Sequence, residues 1–559
     1  MKIGTRGSDL ALWQARYVRA LLQKVAGIEA ELVIIKTAGD LDQSSSLSVM
    51  ADKGFFTKEI EEALLAGQID LAVHSLKDLQ TTMPPGLKMC AMPERADRRD
   101  VLLMHPDAAD PARPLRLKAG ARVGTSANRR IAQVRFLRPD CDVQDLRGNV
   151  PTRVRRLREG KYEAIVVAAA GLDRLELDLH DLVSYRMPEM LFVPAPGQGT
   201  LGLQIRADDE QTRRIVVALD RSTVRKSVSL EREILRRLEG GCQLALGAAA
   251  DETGHGLRLS AFLGTADPAA PRRIVVAGHD GEAVLVAVES FLRGEAQHDV
   301  CGRRTRVWIS RESERAGAFR SACDESLFDV WAVPTFYAIE AGSKDAHTAA
   351  ARNLDSYDWV FLTSQIAVQR FAEILREHGV TLGERPRLAA IGHKTAAAIV
   401  QQGWKVSFIS DVPDAHALAE SFADAAGEHV GRILFPCARV ASDTLQTEMA
   451  VECDGFERLV CYDTREHPQL AASIAALPDP DAIVFTSPQA ARFLIARRPV
   501  DNKVVVVAIG PATTEALLAA GSKLVYESPE RSLEGTAEVI NGLFTAPATP
   551  PLAPYTAHT

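Results

Sequence analysis

Residues 358–368, DWVFLTSQIAV, and residues 481–491, DAIVFTSPQAA, are two copies of one pattern, and that pattern decides the fold of the second half of the chain. In each copy an apolar run of strand type stops at a Thr-Ser pair, and apolar residues at helical spacing follow. A second pair lies further on, with LAAIGHKTAAAIVQQG at 388–403 and VVAIGPATTEALLAAG at 506–521. Each copy reads strand, Thr-Ser turn, helix, strand, Ile-Gly turn, helix, glycine cap. That internal repeat predicts two doubly wound α/β domains facing a cleft, one centred on 345–465 and the other on 304–340 with 470–543. Ser364, Thr486, Ser487 and Gly510 then fall at carboxyl ends of strands, where open α/β sheets bind their ligands. No phosphate-loop lysine follows either turn, so nucleotide hydrolysis is not expected.

The rest of the chain is bounded by composition. Its 559 residues are too many for one hydrophobic core, so three to five domains are expected. With 46% hydrophobic and 25% charged residues it reads as a globular protein of ordinary type. The net charge of −7 provides no global attraction to nucleic acid, although arginines cluster between positions 95 and 158. No run approaches the length of a membrane span, and Met1 to Arg6 leads into a polar loop rather than a signal peptide. The eight cysteines show no metal-ligand spacing, which argues for a reducing compartment and against zinc. A cytoplasmic monomer without a metal, a nucleic-acid partner or a membrane partner is expected. Residues 545–559, rich in proline, are read as a disordered tail.

Strand and helix signals alternate through residues 1–190. Ile3–Thr5 is a short strand ending at Arg6-Gly7-Ser8, Ala11–Leu22 is helical, and Glu31–Lys36 is a buried strand. A polar loop, Lys53-Gly54-Phe55-Phe56 and a helix closed by Gly67 lead to the strand Ile69–Val73, whose exit carries His74-Ser75-Leu76-Lys77-Asp78. Asp78 is either a solvated turn former or a group aimed into a ligand cleft. A second α/β unit over 97–190 has Arg122–Gly124 opening into Thr125-Ser126 and the helix of Arg129 and Arg130. It continues with Asp145-Leu146-Arg147-Gly148-Asn149, a helix bearing Arg153, and a buried strand over 164–170. Free N–H groups at helix starts, joined by forked arginine donors, suit a ligand with several carboxylates.

The stretch 194–202, PAPGQGTLG, contains a formal GxGxxG, but Pro194 and Pro196 stand where a dinucleotide fold needs a strand. It is read as a crossover returning to the first domain, with Gln198 facing the cleft. Residues 218–300 form a smaller α+β unit. Within it the helical run ending at Leu238 is stopped by Gly240-Gly241, which holds Cys242 on a tight loop. Alone, that thiol reads as a small buried hydrophobe; the ordered motifs around it favour an attachment point.

Those motifs carry a resemblance. Thr5-Arg6-Gly7-Ser8, Lys53-Gly54-x-Phe56, Val73-His74-Ser75-x-Lys77-Asp78, Gly124-Thr125-Ser126 with Arg129-Arg130, Leu146-Arg147-Gly148-Asn149 with Thr152-Arg153, Gly197-Gln198-Gly199 and Gly240-Gly241-Cys242 together resemble porphobilinogen deaminase over residues 1–300. The resemblance implies two α/β domains like those of periplasmic binding proteins (1–93 with 194–213, and 97–190) and a small α+β domain (218–300). Residues 304–543 are similar to uroporphyrinogen-III synthase, through the Thr-Ser turns, the Ile-Gly-x-x-Thr turns and Leu459-Val-Cys-Tyr462-Asp-Thr464. The two families act consecutively in tetrapyrrole synthesis.

The first resemblance implies a dipyrromethane cofactor on Cys242, with Lys77, Ser126, Arg129 and Arg130 holding it. It also implies that Asp78 stabilises the azafulvene cation left when porphobilinogen loses ammonia. Arg6, Ser8, Arg99, Arg147, Arg153, Arg174 and Gln198 would bind substrate carboxylates. The second implies closure of linear hydroxymethylbilane with inversion of its last ring, on Ser364, Thr486, Ser487 and Gly510. Tyr462 would assist hydroxyl departure or simply pack as a strand tyrosine. Leu79-Gln80 and Ala245 depart from the family's usual prolines at those turns without removing a reacting group. Three other readings stay open: a two-lobed binding protein, a nucleotide-dependent enzyme, and a chain whose second half only binds the intermediate.

Overall fold

The computed structural model describes residues 1–37, 57–111, 113–239, 244–295, 298, 303–410, 412–426 and 430–544. Cys242, the Lys53-Gly54-x-Phe56 motif and the proline-rich tail lie outside the described residues. The chain divides into two compact units, one of residues 1–305, 318–329 and 502 onward, the other of 306–317 and 330–501. No helix among the described residues is long and apolar enough to cross a membrane.

The first unit begins with a five-stranded sheet in the order Glu31–Ile34, Lys2–Thr5, Leu71–Ser75, Leu201–Arg206, Leu87–Ala91. The first three strands are parallel, and Leu201–Arg206 runs antiparallel to both of its neighbours. The chain therefore leaves this sheet after residue 91 and returns at residue 201. Helix Asp9–Ala26 covers it because Ala15, Val18 and Leu22 recur on one face. Ser8 caps its first turn by accepting from the Ala11 N–H, and Gly27 closes it in the left-handed region.

Between departure and return lies a second five-stranded sheet, ordered Asp142–Gln144, Arg122–Gly124, Ala164–Ala168, Asp100–Met104, Val183–Arg186. The third layer is an antiparallel meander of Leu246–Thr253, Gly256–Leu263 and Arg272–Gly278. Helices Ser222–Arg237 and Gly281–Arg293 pack on it.

Two local expectations shift. The strand expected at 69–73 runs Leu71–Ser75, and Leu76–Asp78 is a short 3₁₀ turn. His74 is admitted to the strand because its Nε2 lies 2.9 Å from Gln204 Oε1 on the neighbouring strand. The run 164–170 is strand only to Ala168, and helix Ala169–Leu175 follows, as alanine's high helix propensity permits.

His74 sets a pH expectation. It is buried, and loss of solvation pulls its imidazole down to about 4, against the supporting Gln204 bond. A histidine lowered on folding contributes stability that is complete above its unfolded value near 6.5 and is lost as pH falls toward 4. The shift corresponds to about 3 kcal/mol. Denaturant unfolding between pH 7 and 4 is expected to steepen through this window, and His74→Gln to flatten it. An identical slope in the variant would refute the assignment.

The crossover at 194–202 is built by backbone necessity. Gly197 and Gly199 have φ of 73° and 84°, and a Cβ on Gly199 would lie 2.5 Å from the Ala96 carbonyl oxygen. Glycine here serves a close backbone approach, and the segment leads straight into Leu201–Arg206.

The second unit holds a six-stranded sheet in the order Phe336–Glu340, Gly455–Glu466, Arg432–Ala438, Trp359–Leu362, Arg387–Ala390, Val406–Ile409. All neighbours are parallel except the first pair. Phe336–Glu340 thus sits with the 345–465 repeat rather than with 304–340 as expected. None of its residues is fully buried, which suits an antiparallel edge. Thr305–Ile309 pairs parallel with Ala482–Phe485, and Val505–Ala508 pairs parallel with Leu524–Glu527, which also pairs antiparallel with Arg272–Gly278.

Candidate active site

The 3₁₀ turn Leu76–Asp78 follows the buried strand Leu71–Ser75 and carries the exposed Asp78 carboxylate beside half-buried Lys77. Lys77 Nζ donates to Gln198 Oε1 at 3.4 Å. Gln198 is 1% exposed, and its amide donates to the Arg98 carbonyl at 2.8 Å and to Asp100 Oδ1 at 3.1 Å. Gln198 therefore links the two sheets rather than facing open space.

Asp100 is fully buried at the start of its strand and gathers the arginines of helix Asn128–Leu137. Arg129 Nη1 reaches Asp100 Oδ2 at 2.7 Å, and Arg130 grips Oδ1 through Nε at 3.0 Å and Nη2 at 2.7 Å. Each also donates to a carbonyl: Arg129 Nη1 to that of Val193 at 2.8 Å, Arg130 Nη1 to that of Val166 at 2.9 Å. Burial pushes the Asp100 carboxyl up, but Arg129 and Arg130 outweigh it and hold it at about 2.

The same cluster tunes its cations. Burial pulls Lys77 down to about 8, opposed first by Asp78 and then by Asp100, while Arg130 and Arg129 add to the fall. Arg153, on helix Val150–Arg158, is pulled down to about 10 chiefly by burial and next by Arg130, with Asp78 opposing. Its Nε donates to the Gly148 carbonyl at 2.8 Å. Lys77, Arg130 and Arg153 thus share one electrostatic neighbourhood with Asp78.

The remaining expected residues fall into two groups. Arg6 is half-buried at the exit of Lys2–Thr5, on the same edge as the Asp78 turn, and Arg147 pairs with Asp145 at 2.7 Å. Four others are engaged in holding the fold. Ser8 caps a helix, and Ser126 Oγ donates to the Leu146 carbonyl at 2.6 Å, tying the Arg147 loop to the Arg129 helix. Arg99 forks onto Asp97, with Nε and Nη2 at 3.1 and 2.9 Å, and Arg174 donates to the Gly199 carbonyl at 2.7 Å while lying over the Trp13 ring.

Sequence reading passed over three groups here. Asp100 is one. Glu231, fully buried on helix Ser222–Arg237, accepts a fork from Arg95 at 2.8 and 2.9 Å and the N–H of Gly197 at 2.8 Å. Arg232, next on the same helix, donates to the carbonyls of Leu76 and Leu79 at 3.0 Å each and of Gln80 at 2.5 Å. The helix that leads toward the cysteine loop thereby clamps the turn carrying Asp78.

In the second unit, Ser364 caps helix Gln365–Glu377, and its Oγ lies 3.1 Å from the Tyr462 hydroxyl. Tyr462 is 8% exposed, and burial pushes its phenol up. Thr486 is tied to Ser310, through N–H to Oγ at 2.9 Å and Oγ1 to the carbonyl at 2.9 Å, and Ser487 caps helix Pro488–Arg497. Gly510 lies in the first unit, where it opens helix Pro511–Ala519.

An exposed carboxylate thus lies among partly desolvated cations at the strand exits of two joined α/β sheets, an arrangement suited to a ligand that bears carboxylates. Comparisons place it more closely. Residues 1–214 match the porphobilinogen deaminase dipyrromethane cofactor binding domain, 226–289 the porphobilinogen deaminase C-terminal domain, and 318–538 uroporphyrinogen-III synthase HemD. Porphobilinogen deaminase of a Roseiflexus strain is 48% identical over 268 residues, 47% of this chain and 86% of that protein. That of Geobacter sulfurreducens is 40% identical over 317 residues, 56% of this chain and 98% of its own length. A solved uroporphyrinogen III synthase of Thermus thermophilus covers 42% of this chain and 97% of its own, at 17% identity and a TM-score of 0.32. The chain belongs to the porphobilinogen deaminase family and carries a uroporphyrinogen-III synthase domain behind it.

Proposed function

We propose that the chain performs two consecutive steps of tetrapyrrole synthesis, polymerising four porphobilinogens to hydroxymethylbilane and closing that product to uroporphyrinogen III. The observation that carries the first step is the Lys77-Asp78 turn beside Arg130 and Arg153. Asp78 is assigned the stabilisation of the cation left when ammonia departs, and the handling of pyrrole N–H protons. Lys77, Arg129, Arg130 and Arg153, with Arg6 and Arg147, are assigned to the acetates and propionates of the pyrroles. Ser126, Gln198, Arg99 and Arg174 serve that binding by holding the loops and helices from which it is made. Ser8 does so by fixing the helix after Arg6.

The donor set fits a covalently held dipyrromethane: several cations converge beside one exposed carboxylate, as a carboxylate-bearing pyrrole pair requires. When bound, the dipyrromethane supplies the pyrrole α-position from which the chain grows. Cys242 is assigned as its attachment, since a thioether survives turnover. In the synthase domain, catalysis is chiefly the holding of one geometry. Ser364, Thr486 and Ser487 are assigned to the substrate's carboxylates. Tyr462, hydrogen-bonded to Ser364, is assigned to the departing hydroxyl.

The test is intact mass. The purified protein is expected to carry two pyrrole units more than its sequence mass, on the Cys242 peptide, and Cys242→Ser to carry none. An unmodified protein that leaves porphobilinogen unconsumed would sink the reading.

A further inference from the structure

The edge of the deaminase's third sheet is covered by a strand from the far end of the chain. Arg272–Gly278 pairs antiparallel with Leu524–Glu527, in the register Val275 with Glu527, Val276 with Tyr526, Ala277 with Val525 and Gly278 with Leu524. Val505–Ala508 then continues the sheet beyond it. Without that strand, Arg272–Gly278, whose centre is Ile-Val-Val-Ala, would present a bare apolar edge.

Charge and shape support the same seam. Glu527 is fully buried, takes Arg258 Nη2 at 2.7 Å from the meander, and accepts Thr514 Oγ1 at 2.7 Å from its own side. Arg273 reaches Glu530 at 2.5 Å and Glu538 at 3.2 Å. Helix Leu533–Phe544 meets helix Gly281–Arg293 at Gly542, where a Cβ would lie 2.4 Å from the Phe291 ring. Gly278 is matched likewise, since a Cβ there would lie 2.8 Å from the Lys523 carbonyl oxygen.

We infer that residues 502–544 form an interaction surface made for the deaminase's third domain, completing its sheet through Leu524–Glu527 and the Arg258–Glu527 pair, so that the two enzymes are joined by a shared core and not only by the segment near residue 300. The domain that bears Cys242 is thereby stabilised by residues of the synthase match.

The test uses the full chain. Amide exchange on the unsubstituted protein should be at least about 100-fold slower than free-peptide exchange for the N–H groups in the ladder between 272–278 and 524–527. Glu527→Met and Arg258→Met should each lower the unfolding midpoint by roughly 5 °C or more, because each leaves a buried partner unpaired. The double variant Arg258→Met/Glu527→Met should recover at least about half of the summed loss. Free-peptide exchange on both strands, or midpoints that fall additively in the double variant, would overturn the inference. None of these readouts depends on either activity.

Discussion

Asp78→Asn is expected to lower porphobilinogen consumption about 10²- to 10⁴-fold while leaving the fold intact. The side chain is exposed, and its backbone turn is held by three carbonyl bonds from Arg232, none of which involves the carboxylate. Asparagine keeps the shape and removes the negative charge. Arg153 and Lys77 both lose an opposing anion, so each falls further from its usual range. The cation left on loss of ammonia would then lose the carboxylate assigned to it. The loss should appear in kcat far more than in KM, since the arginines assigned to the substrate's carboxylates are untouched. The unfolding midpoint should stay within about 2 °C. A variant retaining activity within about threefold of the parent would remove Asp78 from the chemistry.

What could be read from sequence was what is local. The repeat at 358–368 and 481–491 resolves into strands Trp359–Leu362 and Ala482–Phe485 followed by Ser364- and Ser487-capped helices, because a strand, a cap and a helix each have a signature within a few residues. The Asp78 turn was legible for the same reason. Asp100, Glu231 and Arg232 were not. Asp100 meets Arg129 and Arg130 across about thirty positions, and Arg232 meets Leu76 across 156. A charged residue beginning a strand or riding a helix looks the same whether it is solvated or buried against a distant partner. Arg129 and Arg130 both meet Asp100, and nothing in their neighbourhood of sequence announces the carboxylate that holds them. The seam between 272–278 and 524–527 was hidden for a related reason. A strand of four residues carries no mark of which edge it covers.

Asp100→Asn is expected to destabilise the first unit by about 3–5 kcal/mol, the cost of removing one partner from a buried ionic cluster. Asparagine fits the space and still accepts one hydrogen bond, but it leaves Arg129 and Arg130, each 5% exposed, with their mutual repulsion uncompensated. Burial already pulls Arg129 down, with Asp100 as the opposing charge, so losing that charge deepens the fall. The effect has a pH signature of definite sign. Asp100 is held at about 2, below the unfolded carboxylate value near 3.9, so its contribution is complete above about pH 4 and is lost as pH falls toward 2. The parent and variant should therefore differ most above pH 4 and converge in acid. Urea unfolding at pH 7 and at pH 3 measures both, read as a change in midpoint at constant slope. Because Gln198 also donates to Asp100 and accepts from Lys77, the loosening should reach the Asp78 turn. Activity at a temperature where the variant is still folded should fall with it, and a difference in stability that persists undiminished at pH 3 would show that the buried carboxylate is not what holds the two arginines.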